Sequence, residues 1–342
     1  MQVLFDTRLN LISTVLPRII QQIAAKTVNG KIQPMNKAIT PSMGQKNWVK
    51  LIILSILWGG SFFFVEIVLT ALPPLTIVLM RVMLAAVALW IIVLIRGNPI
   101  PRSLKLWGNF LSIGVLNNVL PFSLIVWGQT YISAGLASIL NATTPLFMVI
   151  VAGLLLRDEK PTVNKWVGVV IGFVGIIVMI GPSALAGLGT NVLAQFAILG
   201  AAISYAFAGT YSRKYWPQGM DSTVMAAGQV TASTLALLPI VFFTEARQGY
   251  VMPGIEVIAA LVALAVFSTA FAYLLYFRIL ASAGAVNLSL VTFLIPISAI
   301  FLGIVLLGET LQPPHIIGMF IVAIGLLAID GRIWSRIYPA KD

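Results

Sequence analysis

The stretch that decides the fold is written twice: Ser133–Gly175 reads SAGLASILNATTPLFMVIVAGLLLRDEKPTVNKWVGVVIGFVG, and Ser282–Gly325 reads SAGAVNLSLVTFLIPISAIFLGIVLLGETLQPPHIIGMFIVAIG. Each copy opens on Ser-Ala-Gly and sets a proline, Pro145 or Pro296, inside an apolar run. An acidic residue follows, Glu159 or Glu309, and then Gly-x6-Gly. The glycine-to-proline spacing differs by two residues, so the copies are related and not identical. Two such copies in so apolar a chain predict a membrane protein made of two related halves.

Composition agrees. Of 342 residues, 59% are hydrophobic and only 9% charged, too few charges to coat a soluble domain. Apolar windows close to the roughly 20 residues that cross a bilayer recur along the chain. They predict ten helices, at 49–69, 74–95, 107–127, 133–156, 163–181, 191–213, 221–243, 255–277, 284–307 and 313–331. The predicted fold class is an all-α integral membrane protein. Residues 46–182 form the first five-helix repeat, 190–332 the second, and 333–342 a cytoplasmic tail. Residues 1–45 read as a basic, disordered N-terminal extension; LNLISTVLPRIIQQIAA could instead lie on the membrane as an amphipathic helix, or Met35 or Met43 could be the start. The chain has no cysteine and one histidine, His315, read as a surface residue. Disulfides and thiolate metal sites are excluded, and no metal or cofactor is expected.

Lysine and arginine set the orientation. They crowd the segment before helix 1 and the links 2–3 (Arg96, Arg102, Lys105), 4–5 (Arg157, Lys160, Lys165), 6–7 (Arg213, Lys214) and 8–9 (Arg278), and the tail. Links 1–2, 3–4, 5–6 and 9–10 have none, and 7–8 has only Arg247. Both termini are therefore predicted to be cytoplasmic, and the net charge of +11 is a topology signal with no nucleic-acid partner behind it. Five helices is an odd number, so the second half enters from the opposite side and the repeat is inverted.

LWGGSFFFVEIVLTALPPLTIVLMRVMLAA, with Trp58-Gly59 and Arg81, resembles the opening of an EamA domain. YISAGLASILNATTPLF and the run to VGVVIGFVGIIVM resemble that domain's closing three helices, and AAISYAFAGTYSRKYW with GAVNLSLVTFLIPISAIFLGIVLLGETLQPPHIIG repeats the match. The resemblance covers about residues 48–331 and implies the drug/metabolite transporter superfamily: ten helices, two repeats and a central substrate path. That superfamily moves amino acids, nucleobases, sugars and drugs, often outward. The halves differ where Ser204-Tyr205 replaces Trp58-Gly59 and where Gln229 stands near the Arg81 position, so they are not expected to touch substrate equivalently.

Ionisable groups inside a bilayer each cost roughly 2.5–3.5 kcal/mol at a helix centre, which makes them functional candidates. Glu66 late in helix 1 and Arg81 early in helix 2 are expected to pair across the hairpin. In the functional version Arg81 binds an anionic substrate moiety and Glu66 is its counter-ion or a proton carrier; in the structural version the pair fixes the hairpin. The proline-interrupted helices point to a midplane site, lined by Asn141, Thr144, Asn287 and Thr292. Trp58, Asn117, Trp127, Tyr205, Gln229 and Tyr273 complete the candidate substrate-binding set, with Asn118, Gln129 and Tyr276 as further neighbours. Trp107, Trp166, Trp334 and Tyr338 suit interface anchoring. Gly168, Gly172 and Gly175, matched by Gly318 and Gly325, suit close helix packing, with homodimerisation the alternative. Glu159 and Glu309 read as helix-boundary or gate groups.

A membrane-embedded protease needs paired aspartates or a serine–histidine set, and the helix interiors hold neither. No phosphate-binding G-x-x-x-x-G-K-[ST] occurs, so any transport runs on a gradient. The expectation is a secondary transporter and not an enzyme: an exporter of small metabolites, such as an amino acid or related compound, or of drugs. An importer, a membrane-embedded enzyme and a channel or scaffold are the alternatives. The expected partners are a small-molecule substrate and the lipid bilayer, in a monomer or homodimer, with proton coupling an option.

Overall fold

The computed structural model describes residues 44–156, 162–180, 190–215, 220–245, 252–288 and 290–330. The N-terminal extension up to residue 43, the tail with Trp334 and Tyr338, Glu159 and its link, Arg247, and the Asn287 side chain lie outside the described residues. Among the described residues ten apolar helices follow one another: α1 (Gln45–Leu69), α2 (Pro74–Ile95), α3 (Leu104–Gln129), α4 (Ala134–Leu155), α5 (Val163–Ile180), α6 (Thr190–Tyr215), α7 (Ser222–Thr244), α8, α9 (Val291–Leu307) and α10 (Pro313–Asp330). α8 runs as Ile255–Ala265, Val266–Phe271 and Ala272–Leu288. The first eight are each long and apolar enough to cross a bilayer, and the last two are shorter apolar helices. The protein is a multi-pass membrane protein.

Local chemistry sets the helix ends. Pro74 opens α2, where a missing N–H costs nothing. The Ser133 hydroxyl accepts the Leu136 N–H and caps α4, and the Asp221 carboxylate accepts those of Thr223 and Val224 and caps α7. α9 stops at Gly308, whose φ of +68° favours glycine, and the Glu309 N–H turns back to the Gly303 carbonyl at 3.0 Å.

The two written copies do not fold alike at their starts. Ser133 begins a helix, whereas Ser282 lies inside Ala272–Leu288, its hydroxyl turned to the Arg278 carbonyl four residues back. α9 therefore starts at Val291 and not at 284. The prolines differ too: Pro145 stands in the first turn after a break at Ala142–Thr143, while Pro296 lies inside a continuous helix.

Packing nevertheless follows an exchange of halves. α1 packs on α9 as α6 packs on α4, α3 on α6 as α8 on α1, and α3 on α7 as α8 on α2; α2–α7 and α5–α10 map onto themselves. α1 and its counterpart α6 run in opposite directions, so the two five-helix repeats have inverted topology. By helix direction, Lys46, Lys50, Arg96, Arg102, Lys105, Lys165, Arg213, Lys214 and Arg278 gather at the end where α1 begins. Glu66, Glu245, Glu256 and Glu309 lie toward the other end.

The glycine face serves packing between α5 and α10. A methyl group on Gly325 would sit 2.6 Å from the Gly168 carbonyl oxygen and 2.7 Å from the Gly172 nitrogen. One on Gly318 would sit 2.7 Å from the Gly175 oxygen. The backbones touch because neither helix carries a side chain there. Gly325→Val is expected to cost about 1–3 kcal/mol by overpacking, read as a lower thermal midpoint of the detergent-solubilised protein. An unchanged midpoint would show that this contact is not needed for stability.

Candidate functional site

The polar centre is built on two widened turns, one in each half. Val115–Val119 in α3 and Val266–Phe271 in α8 are π-type segments, which free carbonyls that an α-helix would bond. Hydroxyls take them up: Ser204 of α6 donates to the Leu116 carbonyl at 2.7 Å, and Thr269 donates to the Leu264 carbonyl at 3.0 Å.

Asn118, on the α3 turn and fully buried, is the hub. Its Oδ1 accepts from the Tyr273 hydroxyl at 2.7 Å and from Gln229 Nε2 at 3.1 Å, and its Nδ2 donates to the Ser233 hydroxyl at 2.9 Å. Asn117 Nδ2 donates to the Tyr273 oxygen at 3.2 Å. Helices α3, α7 and α8 are thus joined by one network in which each amide orients the next.

Arg81 reaches the same region from α2. Its Nε donates to the Thr269 hydroxyl at 2.9 Å, and its guanidinium carbon stands 3.7 Å over the centre of the Phe122 ring. Tyr205 and Tyr273 lie within electrostatic reach of it. Arg81 is 5% exposed, and no carboxylate among the described residues pairs with it. The expected Glu66–Arg81 pair is not formed. Arg81 turns toward α8 and α3, while Glu66 faces the end of α3, where Gln129 Nε2 lies 3.4 Å from its Oε2 and 2.9 Å from the Phe62 carbonyl.

The structure therefore brings together Arg81, Asn117, Tyr205, Gln229 and Tyr273 of the expected set. Tyr205 packs against both hydrophobic cores of the bundle, which places it on the seam between them. Trp58 lies beside this group, tilted against Tyr276 with ring centroids 5.7 Å apart and planes at 41°. Asn141 and Thr144 sit apart, at the break in α4, where the Thr144 hydroxyl donates to the Asn141 carbonyl at 2.7 Å and the buried Asn141 Oδ1 has no partner among the described residues. Thr292 is half-buried at the start of α9. Trp127 packs edge-on against Tyr131 and makes no hydrogen bond or ring contact to the cluster among the described residues. His315, expected at the surface, is half-buried with Nδ1 shielded.

Sequence reasoning left out of the site Ser233, Thr269 and Phe122. A serine or threonine in an apolar helix back-bonds to its own carbonyls in most cases, so nothing local marks these as network members. The Asn117-Asn118 pair ahead of Pro121 was the readable signal, and the structure makes its second member the more connected.

An inverted pair of five-helix halves with a polar centre walled by both is the architecture of a membrane transporter. The EamA-like transporter family matches residues 47–181 and again 192–329, and the chain belongs to that family. It is 27% identical over 284 residues to an uncharacterized transporter of Archaeoglobus fulgidus, covering 83% of this chain and 98% of that one. It is also 27% identical over 296 residues to the uncharacterized inner membrane transporter YedA of Escherichia coli K12, covering 85% and 92%. A solved crystal structure at 16% identity superposes with a TM-score of 0.62 over 85% of this chain and 99% of that one, a likeness of fold.

Asn118→Ala removes the acceptor of the Tyr273 hydroxyl and the shorter of the two acceptors of Gln229 Nε2, whose other contact is the Tyr273 oxygen at 3.4 Å. A loss of about 1–3 kcal/mol is expected, against about 1 kcal/mol or less for Asn117→Ala. Thermal unfolding of the two variants side by side measures the difference; equal losses would remove Asn118 as the hub.

Proposed function

We propose that the protein is a secondary transporter that exports small metabolites carrying an anionic group, through alternating access of its two halves around the polar centre. The observation that carries this reading is Arg81, almost fully buried, bonded among the described residues through Nε to a neutral hydroxyl, and without a described counter-ion. A buried guanidinium is expensive unless an anion meets it, and its planar fork suits a carboxylate or phosphate. Phe122, Tyr205 and Tyr273 beside it would receive a planar or apolar body, and Asn117 and Gln229 its polar edge. An amino acid or a related carboxylate has both features.

Residues 46–182 and 190–332 are taken as the two moving repeats, in a monomer or homodimer. The basic end of the bundle faces the cytoplasm by the positive-inside rule, which puts both termini there. The inner membrane location named for the Escherichia coli relative supports the cytoplasmic membrane as the membrane in question. Asn141, Thr144, Asn287, Thr292, Trp58 and Trp127 remain candidates for the path on either side of the centre. Glu66 stands toward the outer end, where a coupling proton would enter or leave.

The test is the extracellular metabolite profile of bacteria overexpressing the wild type, Arg81→Ala and Arg81→Lys at equal membrane levels. A carboxylate or phosphate compound accumulating outside is expected with the wild type. Its export should fall about tenfold or more in Arg81→Ala, with Arg81→Lys only partly restoring it. Equal export by wild type and Arg81→Ala would refute the anion site, and depletion from the medium would reverse the direction.

A further inference from the structure

Two carboxylates of the second half reach across to helix starts of the first, both at the acidic end of the bundle. Glu309, just past α9, accepts the Ala134 N–H on Oε1 at 2.7 Å and the Gly135 N–H on Oε2 at 3.0 Å. Glu245, just past α7, accepts the Leu75 N–H at 3.1 Å, the Thr76 N–H at 2.7 Å and the Thr76 hydroxyl at 2.8 Å. The first N–H groups of a helix have no partner within it and carry the positive end of its dipole, so an ionised carboxylate is held there by charge-assisted bonds.

The Glu309 contact has a built seat. The left-handed Gly308 and the turn back to Gly303 fix where Glu309 leaves the helix. A methyl on Gly303 would collide with Glu309 Oε2 and stand 2.9 Å from its carboxyl carbon, and one on Gly135 would stand 3.2 Å from Oε2. Each carboxylate also ties a helix to its own repeat counterpart: α9 to the start of α4, and α7 to the start of α2. Toward the basic end the described bonds between halves use neutral acceptors, Arg96 to the Thr223 hydroxyl at 2.9 Å, Tyr211 to Asn109 Oδ1 at 3.1 Å and Ser282 to Asn47 at 3.0 Å. Glu66 lies within electrostatic reach of Glu309 at the same end of the bundle.

We propose that Glu245 and Glu309 form a two-point latch that holds the acidic end of the path shut between the halves, and that transport requires both carboxylates to leave their helix starts. The inference rests on the alternating-access reading above. It goes beyond it in naming the contacts that set which end is open.

The chain has no cysteine, so paired spin labels report without background. Labels at Thr130→Cys on the first half and Thr310→Cys on the second, both exposed at the acidic end, would be measured by double electron–electron resonance. Glu309→Gln and Glu245→Gln are each expected to raise the ratio of long to short distances about tenfold, the loss of charge-assisted bonds. Gly303→Ala should do the same while leaving every carboxylate intact, and Glu256→Gln, an exposed charge at the same end, should not. Unchanged distances in any of the first three, once folded by size-exclusion and thermal midpoint, overturn the latch; so does an equal shift in Glu256→Gln. Gly303→Ala decides the matter should either glutamine variant fail to fold. Distances are read without substrate, so absence of metabolite export by the wild type would count against the transport reading alone.

Discussion

A peptide group inside hydrocarbon has no water to bond, and the rest of this structure follows from that. Among the described residues the chain answers it first with ten helices, which bond their own backbone, and then with side-chain partners at several of the places where a helix is interrupted or begins. At the α4 break the hydroxyls of Thr143 and Thr144 take the carbonyls of Leu140 and Asn141. At the widened turns of α3 and α8, Ser204 and Thr269 do so. At the starts of α2 and α4 it is the N–H groups that need partners, and carboxylates from the opposite half supply them. At the α3 turn and at the starts of α2 and α4 the partner comes from the opposite half.

The same constraint explains why the polar centre lies where it does. A widened turn exposes backbone groups, and polar side chains gather around them to meet those groups. α3 and α8 are repeat counterparts and each carries such a turn, so the inverted repeat brings two of them together. What the halves put there differs. One turn offers Asn117 and Asn118, the other Thr269; α2 brings Arg81 and α7 brings Gln229. Among the described residues the asymmetry sets one cation, Arg81, in an otherwise neutral network.

Close helix approach is the second requirement, met by leaving side chains out. Gly59 lets α1 meet α9, where an added methyl would overlap the Ser298 hydroxyl and stand 2.9 Å from the Ala299 nitrogen. The α5–α10 pair uses glycines on both helices in the same way. These contacts give the bundle rigid seams, and the polar centre and the carboxylate ties span the boundary between halves.

Helix number, the repeat and its inversion were legible in the sequence, because apolar length, proline and glycine spacing and lysine–arginine placement are local properties read along one strand of text. So was much of the membership of the site: Arg81, Asn117, Tyr205, Gln229 and Tyr273 stand out as polar or aromatic residues in apolar runs. Their pairing was not. Glu66 and Arg81 have the right depth and charge to bond, yet the rotation of α1 and α2 about their axes sends one to Gln129 and the other to Thr269. Glu245 carries no signal in the sequence, and only the fold sets it, 169 residues away along the chain, against the Thr76 N–H it accepts. The sequence by itself determined which groups must find partners; only the tertiary structure decided which partners, because helix rotation and the crossing of two inverted halves are set by packing summed over the whole bundle.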